Sequence, residues 1–155
     1  MMIKTYESRL TKTGTVKLHV VAENTYLKKI LNSPNEIVDM VNTLFHLCDM
    51  AEEHVYMIAM DSALAVKGAF LLSKGGMSSS IIETREILQK LLLCNANRFI
   101  ILHNHPSGSL VPSEEDLNIT SKMTEAGKIC DMILLDHIIV TKNNGFFSFK
   151  ENGRI

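Results

Sequence analysis

The fold of this 155-residue chain is decided by the stretch Ile100-Ile101-Leu102-His103-Asn104-His105-Pro106-Ser107-Gly108, followed three residues later by Pro112-Ser113-Glu114-Glu115-Asp116. The apolar run at its start predicts a buried strand, and the proline and glycine predict the loop that follows. Alternate residues of a strand point to one face, so His103 and His105 share a side while Asn104 points away. Ser113 and Asp116 then predict a capped helix start.

The spacing of polar groups in this stretch indicates a metal site. The pattern is H-x-H-x7-S-x2-D, and two imidazoles with one carboxylate leave the fourth position of a zinc ion open to water. We predict one catalytic Zn²⁺ per chain, held by His103, His105 and Asp116. Asp116 would lie in a first helical turn, where the helix dipole favours a carboxylate. Affinity order alone would also admit cobalt, nickel or copper.

Each part of this pattern also has an explanation without a metal. A lone H-x-H arises by chance, and histidines at strand ends are commonly surface residues. Helix capping alone explains Ser113 and Asp116. The conjunction of two histidines, a Pro/Gly loop and a capped helix bearing an aspartate is what favours the metal.

Composition predicts one soluble domain over residues 1–155. The chain has 46% hydrophobic residues, and 16 basic against 17 acidic residues give a net charge of −1, so we expect no direct binding of nucleic acid and no attraction to anionic lipid. The three cysteines have no CxxC partner, which indicates reduced thiols in a cytoplasmic protein. We see no membrane-span pattern and no signal-peptide pattern.

Periodicity and turn residues predict mixed α and β structure. Ser33-Pro34-Asn35-Glu36 begins a helix, and Asn143-Asn144-Gly145 forms a hairpin turn. Gly127 would end the third helix, and Gly75-Gly76 would be a turn, not a phosphate loop. The predicted helices are 33–48, 83–96 and 114–126, and the predicted strands, besides the one before His103, are 15–21 (an edge strand), 55–60, 64–73 (antiparallel to 55–60), 132–140 and 146–149.

The stretch His103–Gly108, with Pro112-Ser113, Asp116 and Thr120, resembles the signature of the RadC family, the bacterial branch of the JAMM (MPN-plus) metallopeptidase-like domains. Further agreement comes from Thr84-Arg85-Glu86-Ile87 and from Leu135-Asp136-His137-Ile138-Ile139-Val140. The resemblance covers residues 51–155, the RadC-like JAMM core, and leaves 1–50 as a divergent strand and helix region. It implies an α/β (α+β sandwich) fold of JAMM, cytidine-deaminase-like architecture, with a mixed, mostly antiparallel sheet flanked by helices.

The same resemblance implies roles for individual residues. His103, His105 and Asp116 would bind zinc, Ser113 would stabilise the oxyanion, and Glu53 aligns with the general acid/base of RadC-like sequences. Glu52 and Glu53 can also be read as solvated charges at a helix-strand junction. Glu86 is the rival acid/base, although the dipole of its own helix suffices to explain it.

Three polar residues near these positions have open roles. Asn104, Asp136 and His137 would orient the metal ligands without binding the metal themselves. For Asp136 and His137, a purely structural pair inside an apolar strand is the alternative.

Three functions remain open from the sequence. The first is a zinc-dependent hydrolase that cleaves an amide, peptide or isopeptide, in an unidentified peptide or protein substrate. The second is a DNA-repair factor, as the family label suggests, although longer RadC proteins carry an N-terminal helix-hairpin-helix region that residues 1–50 do not match, so we expect a short form. The third is a catalytically silent protein-binding module. The sequence leaves the oligomeric state open.

Overall fold

The structure is a computed structural model that describes residues 1–28, 31–75 and 82–155. Within these ranges seven strands form one sheet in the order β2-β1-β4-β3-β5-β6-β7. The strands are β1 (Met2–Leu10), β2 (Val16–Thr25), β3 (His54–Met60), β4 (Val66–Lys74), β5 (Arg98–Asn104), β6 (Ile133–Val140) and β7 (Phe146–Ser148), and the α-helices are α1 (Pro34–Phe45), α2 (Thr84–Leu93) and α3 (Glu114–Ile129).

The pairing of these strands confirms a mixed, mostly antiparallel sheet. The pairs β1–β4 and β5–β6 are parallel, and the other four described pairs are antiparallel. The antiparallel pairing of β3 with β4 was predicted, and β2 and β7 lie at the two edges. The hairpin turn before β7 is also confirmed, with Asn143 and Asn144 both at positive φ.

Helices cover both faces of the sheet, as the α/β prediction requires. Every residue of β3 is buried. Its side chains alternate between two cores, so that Ile58 packs in the core with Met40 and Val41 of α1, while Met57 packs in the core with Ile87 of α2 and Met123 of α3. The strand that precedes the candidate site is therefore paired with a fully buried neighbour, which gives the site a rigid support.

The predicted start of α1 is confirmed, whereas its end lies earlier than predicted. The Ser33 side chain accepts a hydrogen bond from the Glu36 backbone N–H, and Pro34 is the first helical residue. His46 then adopts a left-handed conformation with φ of 52°, and a 3-10 turn at Leu47–Asp49 follows. Helix α2 likewise ends at Leu93 instead of 96.

The prediction that Gly127 ends the third helix is wrong, because α3 continues through it to Ile129. A Cβ atom at Gly127 would lie 2.1 Å from the Met132 carbonyl oxygen, and the Met132 backbone N–H donates to the Gly127 carbonyl at 2.9 Å. Glycine is required there because the chain returns to the sheet in close contact with the helix.

Strand β1 was not predicted. Only Ile3 of its nine residues is buried, and a bulge between Thr5 and Tyr6 interrupts its pairing with β2, so no clean alternation marks it in the sequence.

The predicted Gly75-Gly76 turn falls partly outside the described residues, since Gly76 is not among them. No helix in the described ranges has the length and apolar run needed to cross a bilayer.

Candidate metal centre

Ligand-type atoms of three residues meet where β5 ends and α3 begins. The His103 Nε2 atom lies 3.1 Å from the His105 Nε2 atom and 3.1 Å from Asp116 Oδ1. His105 Nε2 lies 3.5 Å from Asp116 Oδ2. His103 is 0% and Asp116 1% exposed, whereas the His105 side chain is 14% exposed. The two-residue alternation of a strand and the first turn of a capped helix thus bring the three predicted ligands together.

The spacing of these atoms suits a small metal ion. Two ligand atoms on one tetrahedral ion with bonds of about 2.0–2.1 Å lie about 3.3 Å apart. His103 Nε2 lies 3.1 Å from both His105 Nε2 and Asp116 Oδ1, whereas the 3.5 Å contact of His105 is with the other carboxylate oxygen, Oδ2. The Nδ1 atom of His105 lies 2.8 Å from the Ser109 carbonyl oxygen, which can only accept, so Nδ1 carries a proton and neutral His105 keeps its lone pair on Nε2. Without a metal, a proton on Nε2 is donated to the Asp116 carboxylate; a bound metal ion would take the place of that proton.

Charge at the site is consistent with this arrangement. Its hydrogen bond to Asp116 raises the pKa of His105, with smaller contributions from Ser109 and from the charge of Glu53. Burial by itself would raise the pKa of Asp116, but hydrogen bonds to His103 and His105 and the Ser113 backbone N–H hold that pKa well below its usual range. Asp116 is therefore a carboxylate, the form that binds metal.

Ser113 fixes the carboxylate of Asp116. Its backbone N–H and its hydroxyl donate to Asp116 Oδ2 at 2.7 and 2.8 Å, and its Oγ atom accepts from the Asp116 backbone N–H at 3.1 Å. This is the predicted capping box with aspartate in the third position. The hydroxyl proton of Ser113 points at the ligand here, and its predicted contact with an oxyanion stays a prediction.

A second group of buried residues shares two of these ligands. His103, Asp116 and His137 have ligand atoms within 4.8 Å of one another and could hold a metal ion. His137 lies on β6, next to β5, with its Nε2 atom 3.0 Å from His103 Nδ1, so it approaches His103 from the side opposite His105. Burial lowers the pKa of His137 well below its ordinary value, which keeps the ring neutral.

Asp136 does not contact the ring of His137. Its Oδ1 atom accepts from the backbone N–H groups of His137 and Lys150 at 2.8 and 3.0 Å, and its Oδ2 atom accepts from the Ser148 hydroxyl at 2.6 Å. Burial raises the pKa of Asp136. In this geometry Asp136 ties β6 to β7 and the turn that follows it, and its only bond to His137 in the described part of the chain is to the backbone N–H, so the two side chains do not form the predicted pair.

Asn104 holds the segment that precedes β3. Its Oδ1 atom accepts from the His54 backbone N–H at 2.8 Å, and its Nδ2 atom donates to the carbonyls of Met50 and Glu52 at 3.1 Å each. These bonds fix the backbone on both sides of Glu53. No local pattern in the sequence indicated this contact, because it joins residues about 50 positions apart.

The two candidate general bases lie in different surroundings. Glu53 lies near enough to His105 for its charge to make a small contribution to the raised pKa of that histidine. Glu86 pairs with Lys90 at 3.4 Å and lines a recess with residues of β1.

A separate recess of about 250 Å³ lies beside His105. It is lined by residues from the turn after α1, the loop after β5 and the turn before β7: Cys48, Asp49, Met50, Ala51, His105, Pro106 and Lys142.

Fold and site together define an α/β domain with a candidate metal site where a central strand meets a capped helix. The family model for the RadC-like JAB domain matches residues 31–154. The chain belongs to this family, as the signature around His103 predicted.

Similar proteins support this assignment. A UPF0758 protein of Clostridium botulinum is 41% identical over 79% of this chain and 52% of its own length. A UPF0758 protein of Desulfitobacterium hafniense is 32% identical over 86% of this chain and 57% of its own, and one of Thermotoga maritima is 39% identical over 68% and 47%. The chain thus spans about half the length of these curated relatives.

Proposed function

We propose that this chain is a zinc-dependent hydrolase of the JAMM type that cleaves an amide bond, peptide or isopeptide. One observation carries the proposal: the Nε2 atoms of His103 and His105 and the carboxylate of Asp116 converge within 3.1 to 3.5 Å. Two of these residues are buried and the third is partly exposed, so a fourth coordination position would face solvent. An open position is typical of catalytic zinc sites.

The protein's own residues supply the rest of the proposed mechanism. When bound in such a site, zinc lowers the pKa of a water molecule to about 7 and polarises a carbonyl group. Glu53 accepts the proton of the attacking water at its carboxylate and returns it to the leaving amine. Asp116 stays ionised because of its hydrogen bonds, and Ser113 holds it in place.

The substrate in this proposal is a peptide or protein. The recess of about 250 Å³ beside His105 has room for side-chain or main-chain groups on either side of the scissile bond. It contains one acidic and one basic residue, Asp49 and Lys142, which does not select a substrate charge. The proposal includes no direct contact with nucleic acid, since the net charge of −1 offers no general attraction to phosphates.

The main alternative is a family member that binds a protein or assists DNA repair without hydrolysis. Binding without hydrolysis would not require a general base such as Glu53 beside a metal ion. A binding isotherm on duplex and single-stranded DNA at two salt concentrations tests the DNA role, because phosphate contacts weaken steeply with salt.

The direct test is hydrolysis of a panel of peptide and isopeptide substrates by zinc-loaded protein. We expect Glu53→Gln to retain zinc and to lose activity by about 10²- to 10⁴-fold. The matched control is Glu86→Gln, which should act like the wild type because Glu86 pairs with Lys90 at the surface. Full activity in Glu53→Gln, or a zinc-loaded wild type that leaves the whole panel intact, would overturn the mechanism.

A further inference from the structure

A chain of three buried hydrogen bonds runs from the candidate ligand His103 into the core. The His103 Nδ1 atom lies 3.0 Å from His137 Nε2. The other ring nitrogen of His137 lies 2.7 Å from the Thr120 hydroxyl oxygen. That hydroxyl lies 2.6 Å from the backbone carbonyl of Asp116. This hydrogen-bond chain begins and ends on candidate ligands, and it passes through His137 and Thr120.

The direction of this chain follows from what each atom can donate. A carbonyl oxygen only accepts, so the single hydroxyl proton of Thr120 is donated to Asp116. Thr120 Oγ1 must then accept from His137, which places a proton on His137 Nδ1. In a neutral ring the remaining nitrogen, Nε2, accepts. His103 therefore donates from Nδ1.

The ring of His137 must be neutral for this direction to hold, and its surroundings require that. His137 is 0% exposed and stacks on Phe149 with ring centroids 4.7 Å apart. A buried imidazolium is costly, and the two ring nitrogens of His137 bond to His103 and Thr120, not to a carboxylate. Successive residues of a strand point to opposite faces, so Asp136 lies on the other face, where it accepts from Ser148.

We propose that Thr120 and His137 are positioning residues: they hold His103 so that its Nδ1–H donates to His137, and its Nε2 atom, which faces Asp116 and His105, is the one left to bind the metal. This inference rests on the metal site of the proposed function and goes beyond it. Metal-binding histidines usually donate their other N–H to a fixed acceptor, which sets the tautomer and raises ligand basicity. Here that acceptor is a second histidine, itself fixed by a threonine.

This series of hydrogen bonds also assigns a role to His137 within the buried group of His103, Asp116 and His137 that could hold a metal. A metal between His103 Nδ1 and His137 Nε2 would require the loss of the hydrogen bond that joins them. All three residues of this group are buried, whereas the His105 side chain is 14% exposed, so an open coordination position fits better beside His105. The geometry therefore assigns His137 the role of accepting the Nδ1–H of His103, and not the role of a metal ligand.

Substitutions at Thr120 test the inference without altering either histidine. In Thr120→Val the His137 Nδ1–H loses its acceptor, so the tautomer protonated at Nε2 becomes favoured. That proton is then donated to His103 Nδ1 and forces the His103 proton onto Nε2, where it blocks the ligand lone pair. Thr120→Ser keeps the hydroxyl and should restore the wild-type behaviour.

Helix α3 offers a matched control one turn later. The Thr124 hydroxyl donates to the Thr120 carbonyl at 2.8 Å, which is the same back-bond that Thr120 makes to Asp116. Thr124→Val therefore repeats the loss of a helical threonine hydroxyl, but at a position where the hydroxyl bonds to a backbone carbonyl and not to a histidine. Thermal unfolding of all variants identifies any that fail to fold.

The experiment combines zinc affinity with the tautomers of the metal-free protein. Competition with a chromophoric chelator should show Thr120→Val weakening the zinc Kd by about 10- to 100-fold, with Thr120→Ser and Thr124→Val within about threefold of wild type. Long-range ¹H–¹⁵N spectra of the histidine rings, without zinc, should show His137 protonated at Nδ1 in the wild type and at Nε2 in Thr120→Val.

Failure of this inference is distinct from failure of the proposed function. A wild-type His137 protonated at Nε2 in the metal-free protein, or wild-type zinc affinity in Thr120→Val, overturns the positioning role of Thr120 and His137. A wild-type protein that does not bind zinc overturns the proposed metal site. The tautomers are read from spectra that contain no metal, so either result can be obtained with or without the other.

Discussion

Replacing Asn104 by alanine should destabilise the protein and release the segment that carries Glu53. The Asn104 side chain is 1% exposed and makes three hydrogen bonds, one from the His54 backbone N–H and two to the carbonyls of Met50 and Glu52. The carboxamide thus joins the end of β5, where both candidate histidine ligands lie, to the segment that carries the candidate base.

The magnitude follows from these three bonds. In Asn104→Ala the buried His54 N–H loses its acceptor, which costs about 1–3 kcal/mol, and each lost bond to a partly buried carbonyl costs about 0.5–1.5 kcal/mol. Glu52 keeps a second partner, because its carbonyl lies 2.9 Å from His54 Nδ1. A loss of about 3 kcal/mol in the free energy of unfolding corresponds to a Tm lower by roughly 6–12 °C for a domain of this size.

Two measurements test this reasoning. Thermal unfolding gives the change in Tm, and amide hydrogen exchange of His54 reports the broken bond directly, since its N–H should exchange faster in Asn104→Ala. Asn152→Ala is the control, because Asn152 makes a single bond to the Ser148 carbonyl in an exposed turn. A Tm within about 2 °C of the wild type, or unchanged protection of the His54 amide, would refute the assigned role of Asn104.

Three further outcomes are expected. Gly127→Ala should lower the urea midpoint by an amount equivalent to about 1–3 kcal/mol, because its Cβ would lie 2.1 Å from the Met132 carbonyl oxygen; an unchanged midpoint would contradict the close approach. Asp116 raises the pKa of His105 above 6.5, so in metal-free protein the charged ring stabilises the fold fully below pH 6.5 and this contribution is lost as the pH rises through the raised value. The stability difference between wild type and His105→Ala should therefore shrink with rising pH in that window, and zinc affinity should fall as the pH is lowered through it; a pH-independent difference would argue against the contact. A maleimide should modify Cys130 before the two other thiols, since Cys130 is exposed and burial raises the pKa of the others; mass spectrometry that finds another thiol modified first would contradict the burial pattern.

Local patterns in the sequence predicted the parts of the site that depend on neighbouring residues. The two-residue period of a strand predicted that His103 and His105 share one face, and the cap spacing predicted the helix start at Ser113 and Asp116, which is confirmed. These features follow from contacts within a few positions, and a single sequence contains them in full.

Features that depend on distant contacts could not be predicted in the same way. Gly127 has the signature of a helix end, yet the return of the chain at Met132 decides its role. The bond of Asn104 to the segment before β3 spans 50 positions, and the contact of Thr120 with His137 requires α3 to pack on β6. Both residues of that pair belong to the family signature in the sequence, but only the packed structure shows the hydrogen bond between them.

Metal content measures the central claim most directly. Wild type, His105→Ala and His19→Ala are each reconstituted with zinc, freed of excess ion and subjected to elemental analysis, with His19 chosen because it is an exposed histidine on the edge strand β2. The account predicts close to one zinc per chain in the wild type and in His19→Ala, and its loss in His105→Ala. A wild type without zinc, or a His105→Ala variant that retains it, would contradict the site formed by His103, His105 and Asp116.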